Sequence, residues 1–133
     1  MGDSIRDAHG ATVVTALAMV DRPLVYVAGP YGDDPAPNTK RAMDVADWMW
    51  GTGLIAPIVP HLSILWDVVR PRGPEEWYDY DLAILARCDA LFRMPGTSDG
   101  ANREVDFAMD SGIPIFHAEP PLLEWAATVL IDD

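Results

Sequence analysis

Leu24-Val25-Tyr26-Val27-Ala28 is an unbroken run of apolar, strand-favouring residues that stops at Gly29-Pro30. A run without polar alternation reads as a strand buried on both faces, the kind that parallel sheets contain. Downstream, the loop Tyr31–Pro37 holds Gly, Asp and Pro, and a helix follows over Asn38–Trp50. Its Ala42, Val45, Ala46 and Met49 share one helical face. Gly51 and Gly53 form its stop. Leu54–Val59 reads as a second strand, interrupted by Pro57. Pro60–Pro74 is a long connection carrying His61 and Trp66, and long connections in small domains are often functional. Pro74-Glu75-Glu76 opens a helix that runs to about Arg87, with acids at its positive end. Asp89–Met94 is a third strand, Pro95–Gly100 a turn-rich loop, and Ala101–Asp110 a helix closed by Gly112. Ile113–His117 is a fourth strand and Pro121–Ile131 a last amphipathic helix.

Upstream of the first strand, Arg22-Pro23 punctuates the chain, and the apolar stretch Ala11–Val20 reads equally as a short helix or a strand. Residues 1–22 are thus expected to be an N-terminal extension and residues 23–133 a single domain. Alternating strands and helices predict an α/β fold: a doubly wound, Rossmann-like parallel sheet of about four or five strands with helices on both faces. Ligands of such folds sit at the carboxyl ends of the strands. Here those ends are Gly29–Gly32, Val59–His61, Met94–Gly100 and His117.

Composition narrows the function classes. The chain has 133 residues, half of them hydrophobic and 23% charged, which is a globular balance rather than a disordered one. Nine basic against 21 acidic residues leave a formal charge of −12, and no local basic patch offsets it. Such a surface repels nucleic acid and anionic lipid. A small phosphorylated ligand stays possible, because one or two placed groups outweigh the mean field at short range. One cysteine, Cys88, excludes a disulfide within the chain and a cysteine-based zinc site. No stretch approaches the roughly 18 apolar residues of a membrane span. The expectation is a soluble, cytoplasmic protein.

Several residues at the strand ends can carry chemistry. Glu104 lies near the start of the Ala101 helix, where the dipole favours its anion. A carboxylate held ionised there can act as a nucleophile or a general base. A first-turn Glu can equally serve the dipole alone. Asp81 shares a helix face with Tyr78, Leu82 and Leu85, and a carboxylate among apolar residues is costly unless it is paired or used. A hydrogen-bonded structural Asp fits the same pattern. Asp79 falls on the opposite side. Ser98 and Gly100 precede a helix start, where a hydroxyl and free N–H groups can hold an anion, although most such runs are plain turns. Tyr31, after Gly29-Pro30, can reach the crevice or pack outward, and His61 ends the second strand. No His, Asp and Glu set has metal-ligand spacing. Trp48 and Trp50 stand two positions apart on one helix, so one of them is exposed or covered by a second subunit.

In their order, three blocks of this chain resemble the nucleoside 2-deoxyribosyltransferase superfamily. They are Val25-Tyr26-Val27-Ala28-Gly29-Pro30-Tyr31, the Asp81–Leu91 segment with its Cys88-Asp89, and Ser98-Asp99-Gly100-Ala101-Asn102-Arg103-Glu104. The resemblance spans about Leu24 to His117. It implies that Glu104 is the nucleophile that attacks the anomeric carbon. It also implies that Asp81 contacts the base and assists its departure, and that Tyr31 orients the nucleophile. Gly29, Pro30, His61, Ser98 and Gly100 become substrate-binding candidates. The transferases carry an Asp six residues before the nucleophile, where this chain has Ser98. The similar nucleotide N-glycosidase branch has Ser there, facing a phosphate. Its Arg in the first turn is replaced here by Gly32-Asp33, with Lys40, Arg41 or Arg103 as substitutes. The resemblance therefore implies cleavage of the N-glycosidic bond of a nucleoside 5′-monophosphate, without cofactor or metal. Base exchange between nucleosides is the alternative, and nucleotide binding without turnover a further one. A small-molecule nucleoside or nucleotide is the expected partner, with no nucleic acid or membrane. The resemblance also implies a homodimer or a larger homo-oligomer.

Overall fold

The computed structural model describes residues 19–132. The reading of residues 1–22 as an extension, and of Ala11–Val20 as helix or strand, therefore falls outside the described residues up to position 18. From there the elements are β1 (Leu24–Ala28), α1 (Pro35–Gly51), β2 (Ala56–Ile58), a 3-10 turn (Pro60–Ser63), α2 (Ile64–Val69), α3 (Pro74–Leu85), β3 (Ala90–Arg93), α4 (Asp99–Asp110), β4 (Ile115–Phe116) and α5 (Glu119–Asp132). The four strands form one all-parallel sheet in the order β2-β1-β3-β4. This is the expected doubly wound, Rossmann-like α/β architecture.

Strand alternation decides the layering. Val25 and Val27 face one core, with Ala42 and Met49 of α1 and Leu122 and Ala126 of α5. Tyr26 and Ala28 face the other, with Leu85 of α3 and Ala101 and Ala108 of α4. Val25 through Ala28 are fully buried, as a strand covered on both faces must be. Pro57 sits in β2, an edge strand, where a missing N–H is tolerated. Asp89 fixes the register of β1 against β3: its carboxylate accepts from Leu24 N–H at 2.8 Å and its own N–H donates to the Leu24 carbonyl at 2.8 Å.

The boundaries differ from the sequence expectation where prolines sit. α1 begins at Pro35 and α5 at Glu119, because Pro35, Pro37, Pro120 and Pro121 fit first turns, whose N–H groups have no helical partner. β4 shrinks to two residues; Pro114 lacks a donor, and Ile113 N–H is taken by the Ala108 carbonyl at the end of α4. The Pro60–Pro74 connection contains the 3-10 turn and α2. Trp48 packs against the core, whereas Trp50 is exposed with the Arg22 guanidinium 4.1 Å from its ring centre.

Consecutive strands move outward from β1 on one side and from β3 on the other, so the strand order reverses between these two. Their carboxyl ends lie close. A Cβ on Gly29 would stand 3.0 Å from Met94 Sδ, and one on Gly96 would stand 2.8 Å from Pro30 Cγ. Gly96 also has φ of +114°, outside the range of L side chains. Gly112 has φ of +74° but open space around it. Gly96→Ala should therefore lower the urea midpoint clearly more than Gly112→Ala, by about 2 kcal/mol or more against about 1 kcal/mol. Equal losses would show that the two strand ends are not in contact.

Candidate active site

The crevice between the carboxyl ends of β1 and β3 opens into a cavity of about 570 Å3. Tyr26 lies behind that cavity, in the core, where its place in β1 turns it toward α3 and α4 and so to Glu104 of the cavity wall. Its hydroxyl donates to Glu104 Oε2 at 2.6 Å, and both side chains are buried. Glu104 comes from the second turn of α4. The start of that helix is fixed by Ser98, whose Oγ accepts from Ala101 N–H at 3.1 Å. Arg93, the last residue of β3, holds the β3–α4 loop: it donates to the Met94 carbonyl, to the Gly96 carbonyl at 2.9 Å and to Asn102 Oδ1 at 3.0 Å.

The electrostatics are those of two carboxyls in one dry place. Burial pushes Glu104 up to about 7, against the pull of the Tyr26 hydrogen bond and of the Arg93 and Arg103 charges. Burial and then the Glu104 charge push Asp81 up to about 7 as well. Oδ1 of Asp81 is buried with no hydrogen-bond partner among the described residues. Two interacting acids in the same range titrate as a pair. Such a pair holds one proton near neutrality, the state in which one member can donate while the other attacks. Burial and the Glu104 charge raise Tyr26 far above the ordinary phenol, so it stays a donor.

The cavity wall includes Glu104, Asp81, Tyr31, Gly29, Pro30, His61, Ser98 and Gly100, so all the site residues anticipated from sequence line one space. One contact differs from the expectation. The hydrogen bond to Glu104 comes from Tyr26, whereas Tyr31 stands edge-to-face with the His61 ring at a centroid separation of 5.8 Å. Tyr31 follows the strand, so the strand does not direct its side chain to α4. Nε2 of His61 donates to the Pro30 carbonyl at 3.0 Å, which ties the turn after β2 to the turn after β1. Burial lowers the His61 pKa, keeping the ring neutral. Ser98 spends a lone pair on the helix cap, and its O–H remains able to donate.

Further residues complete the wall, among them Arg103, anticipated only as a phosphate contact, and Asp67, which was not singled out. Arg103 grips Glu75 of α3 with both terminal nitrogens, at 2.9 and 3.2 Å, and lies 3.7 Å over the Tyr78 ring. Asp67 accepts from the Trp77 indole at 2.6 Å and from Arg72 N–H at 3.0 Å, tying α2 to α3. Tyr26 did carry a signal: it is the one polar tip in the Leu24–Ala28 run, and a buried hydroxyl needs a partner.

The raised carboxyl pKa values have a consequence for stability. Unfolded, a Glu titrates near 4.3. Between that value and about 7 the native state holds protons that the unfolded chain has released, so stability falls as pH rises through this window. Glu104→Gln keeps an acceptor for Tyr26 and removes the charge. It should raise Tm at about pH 8 by several degrees, with the gain closing toward about pH 5. A gain that is equal at both pH values would show that Glu104 titrates as an ordinary carboxyl.

The described residues contain no helix long and apolar enough to cross a membrane. No curated protein matches the chain. Residues 23–118 match the family described as Domain of unknown function (DUF7768). That span runs from the residue before β1 to just past β4 and takes in the whole sheet with Tyr26, Asp81 and Glu104; the chain belongs to this family.

Proposed function

We propose that the protein cleaves the N-glycosidic bond of a nucleoside-type substrate with Glu104 as nucleophile. One observation carries the reading: a buried carboxylate, held by Tyr26 and coupled to Asp81, at the switch-point cavity of a doubly wound sheet. The resemblance of the three sequence blocks to nucleoside 2-deoxyribosyltransferases supports it. In the first step a Glu104 oxygen bonds to C1′ as the C1′–N bond breaks. The bond's electron pair goes to the base nitrogen, which takes the proton of the Asp81 carboxyl. In the second step water attacks C1′, the Glu104 carboxylate leaves, and the water proton passes to Asp81. This is the double displacement of a retaining glycosidase, through an oxocarbenium-like transition state.

The charge of the cavity bears on the 5′ end of the substrate. Among the described residues six carboxylates line it: those of Glu104 and Asp81, that of Asp67, and those of the exposed Asp33, Glu75 and Asp99. The two guanidiniums that the described residues bring to it are engaged, Arg103 with Glu75 and Arg72 with Glu76 at 2.7 Å. This balance favours a free 5′-hydroxyl over a phosphate. A 5′-monophosphate is the second reading, favoured by the free O–H of Ser98 and the N–H groups at the start of α4. A hydrolase releases free sugar, whereas a transferase passes the glycosyl group to a second base.

The reading extends to assembly. No residue of α2 is buried, and Leu65, Val68 and Val69 present an apolar face beside the cavity wall. Such a face fits a homodimer or a larger homo-oligomer, and light scattering that finds only monomer would count against it.

Chromatography of nucleosides and their 5′-monophosphates after incubation with the protein should show free base. Glu104→Gln should reduce its release at least about 10³-fold, and an unchanged rate would sink the assignment. The rate should follow a bell centred near pH 7, because Glu104 must be ionised and Asp81 protonated. Asp81→Asn should abolish the alkaline limb and leave the acid one.

A further inference from the structure

Glu75, Tyr78 and Asp81 lie three residues apart along α3 and so form one stripe, which lines the cavity. The fully buried anchor of α3 is Leu85, and Leu82 and Ile84 add to the same core; all three lie beyond Asp81. The first two turns, Pro74–Asp81, contribute no side chain to either core cluster. Their position against α4 rests on something else. Among the described residues, the ion-paired and stacked contacts between those turns and α4 all come from Arg103, through the two-pronged bond to Glu75 and the stacking on Tyr78. Arg103 directly precedes Glu104 in α4, so the clamp joins the immediate neighbour of one acid to the α3 stripe that carries the other.

We propose that Arg103 is a positioning residue that, by gripping Glu75 and Tyr78, fixes Asp81 of α3 relative to Glu104 of α4. A planar guanidinium suits this task. It meets both oxygens of a carboxylate and lies flat on a ring, whereas an ammonium does neither. The proposal rests on the N-glycoside reading and gives Arg103 a task other than holding a substrate phosphate.

Arg103 also acts by charge. Among the described residues, the groups that act on Glu104 are Tyr26 from β1, Arg93 from β3 and Arg103 from its own helix, and Glu104 in turn acts on Asp81 of α3. Among these, Arg93 and Arg103 favour the Glu104 anion. Loss of the Arg103 charge should therefore raise the pH at which Glu104 ionises.

The test compares Arg103→Gln, Arg103→Lys and Glu75→Gln with the wild type over the pH profile of base release. All three substitutions fall on half-exposed or exposed side chains, so folding should survive, which circular dichroism checks. Arg103→Gln should lower kcat about tenfold or more with a smaller change in KM, and should move the acid limb to higher pH. Arg103→Lys should keep the acid limb in place and still lose kcat, because the fork is gone. Glu75→Gln should lose kcat too, with the acid limb unmoved or moved to lower pH, since the guanidinium is then unopposed. An unchanged kcat and profile in Arg103→Gln would overturn the proposal. A rise in KM for 5′-monophosphates alone would do so as well, by making Arg103 a phosphate contact. If the wild type releases no base from any nucleoside or monophosphate, the N-glycoside reading has failed. Carboxyl-resolved NMR then judges the clamp: the Asp81 and Glu104 carboxyl signals must shift in Arg103→Lys, which keeps the charge and loses the fork, and signals that stay in place overturn it.

Discussion

The Tyr26–Glu104 hydrogen bond is the constraint around which the site is built. It joins the central strand to α4 across 78 residues of sequence and leaves neither partner exposed. A carboxylate with 7% of its residue surface accessible has lost most of its water, and this bond is the replacement. The bond has a geometric precondition. Tyr26 must occupy the β1 position that faces α3 and α4, and a shift of one residue would turn it toward α1 and α5. Asp89 guards that register at the other end of the strand, with bonds from both its side chain and its backbone to Leu24. A structural device at the bottom of the sheet thus serves the geometry at the top.

Closeness at the top has its own requirement. β1 and β3 are neighbours, and the loops that leave them run side by side. Gly96 against Pro30 leaves no room for a Cβ, and Gly29 against Met94 leaves only a tight fit. Arg93 then pins the second loop to its own carbonyls and to Asn102, so that α4 starts at a fixed place. The cavity is therefore bounded by backbone that cannot shift far. Its other wall is different in kind. The first two turns of α3 and all of α2 are joined to the body by polar and aromatic contacts, with Asp67, Trp77, Arg72 and Trp66 knotted together. One wall is set by the sheet and the other by side-chain clamps.

The parts of this arrangement that follow from local pattern were legible in the sequence. The Leu24–Ala28 run announced a strand covered on both faces, and the alternation of elements announced the parallel sheet. Asp81 was visible as a carboxylate on an apolar face. Glu104 was visible as an acid early in a helix that follows a strand. What stayed hidden depended on which long-range partners meet. Tyr26 looked like strand filling because its apolar ring satisfies the pattern and its hydroxyl does not disturb it; Tyr31, in the loop, looked freer to act. Arg103 read, with Lys40 and Arg41, as a candidate phosphate substitute because the resembling branch carries an Arg in the first turn where this chain has Gly32-Asp33. Its partner, Glu75, lies 28 residues earlier, and nothing in the spacing pairs them. Prolines blurred the ends of α1, β4 and α5, since a proline both stops one element and opens the next.

The acid balance of the cavity has a physical logic under the proposed chemistry. In the free protein it is unfavourable: burial disfavours the anions of Glu104 and Asp81, and each carboxyl is held near neutrality as a result. As the C1′–N bond breaks, positive charge builds on the sugar. A fixed carboxylate then gains more than it does with a neutral ground state, because little water competes for the new cation. Interactions that strengthen only in the transition state raise the rate without tightening the substrate. The same field repels a 5′-phosphate at every stage of the reaction. On the proposed chemistry, the two carboxyls whose anions burial disfavours are the nucleophile and the acid, and an uncharged nucleoside is the substrate that such a field least opposes.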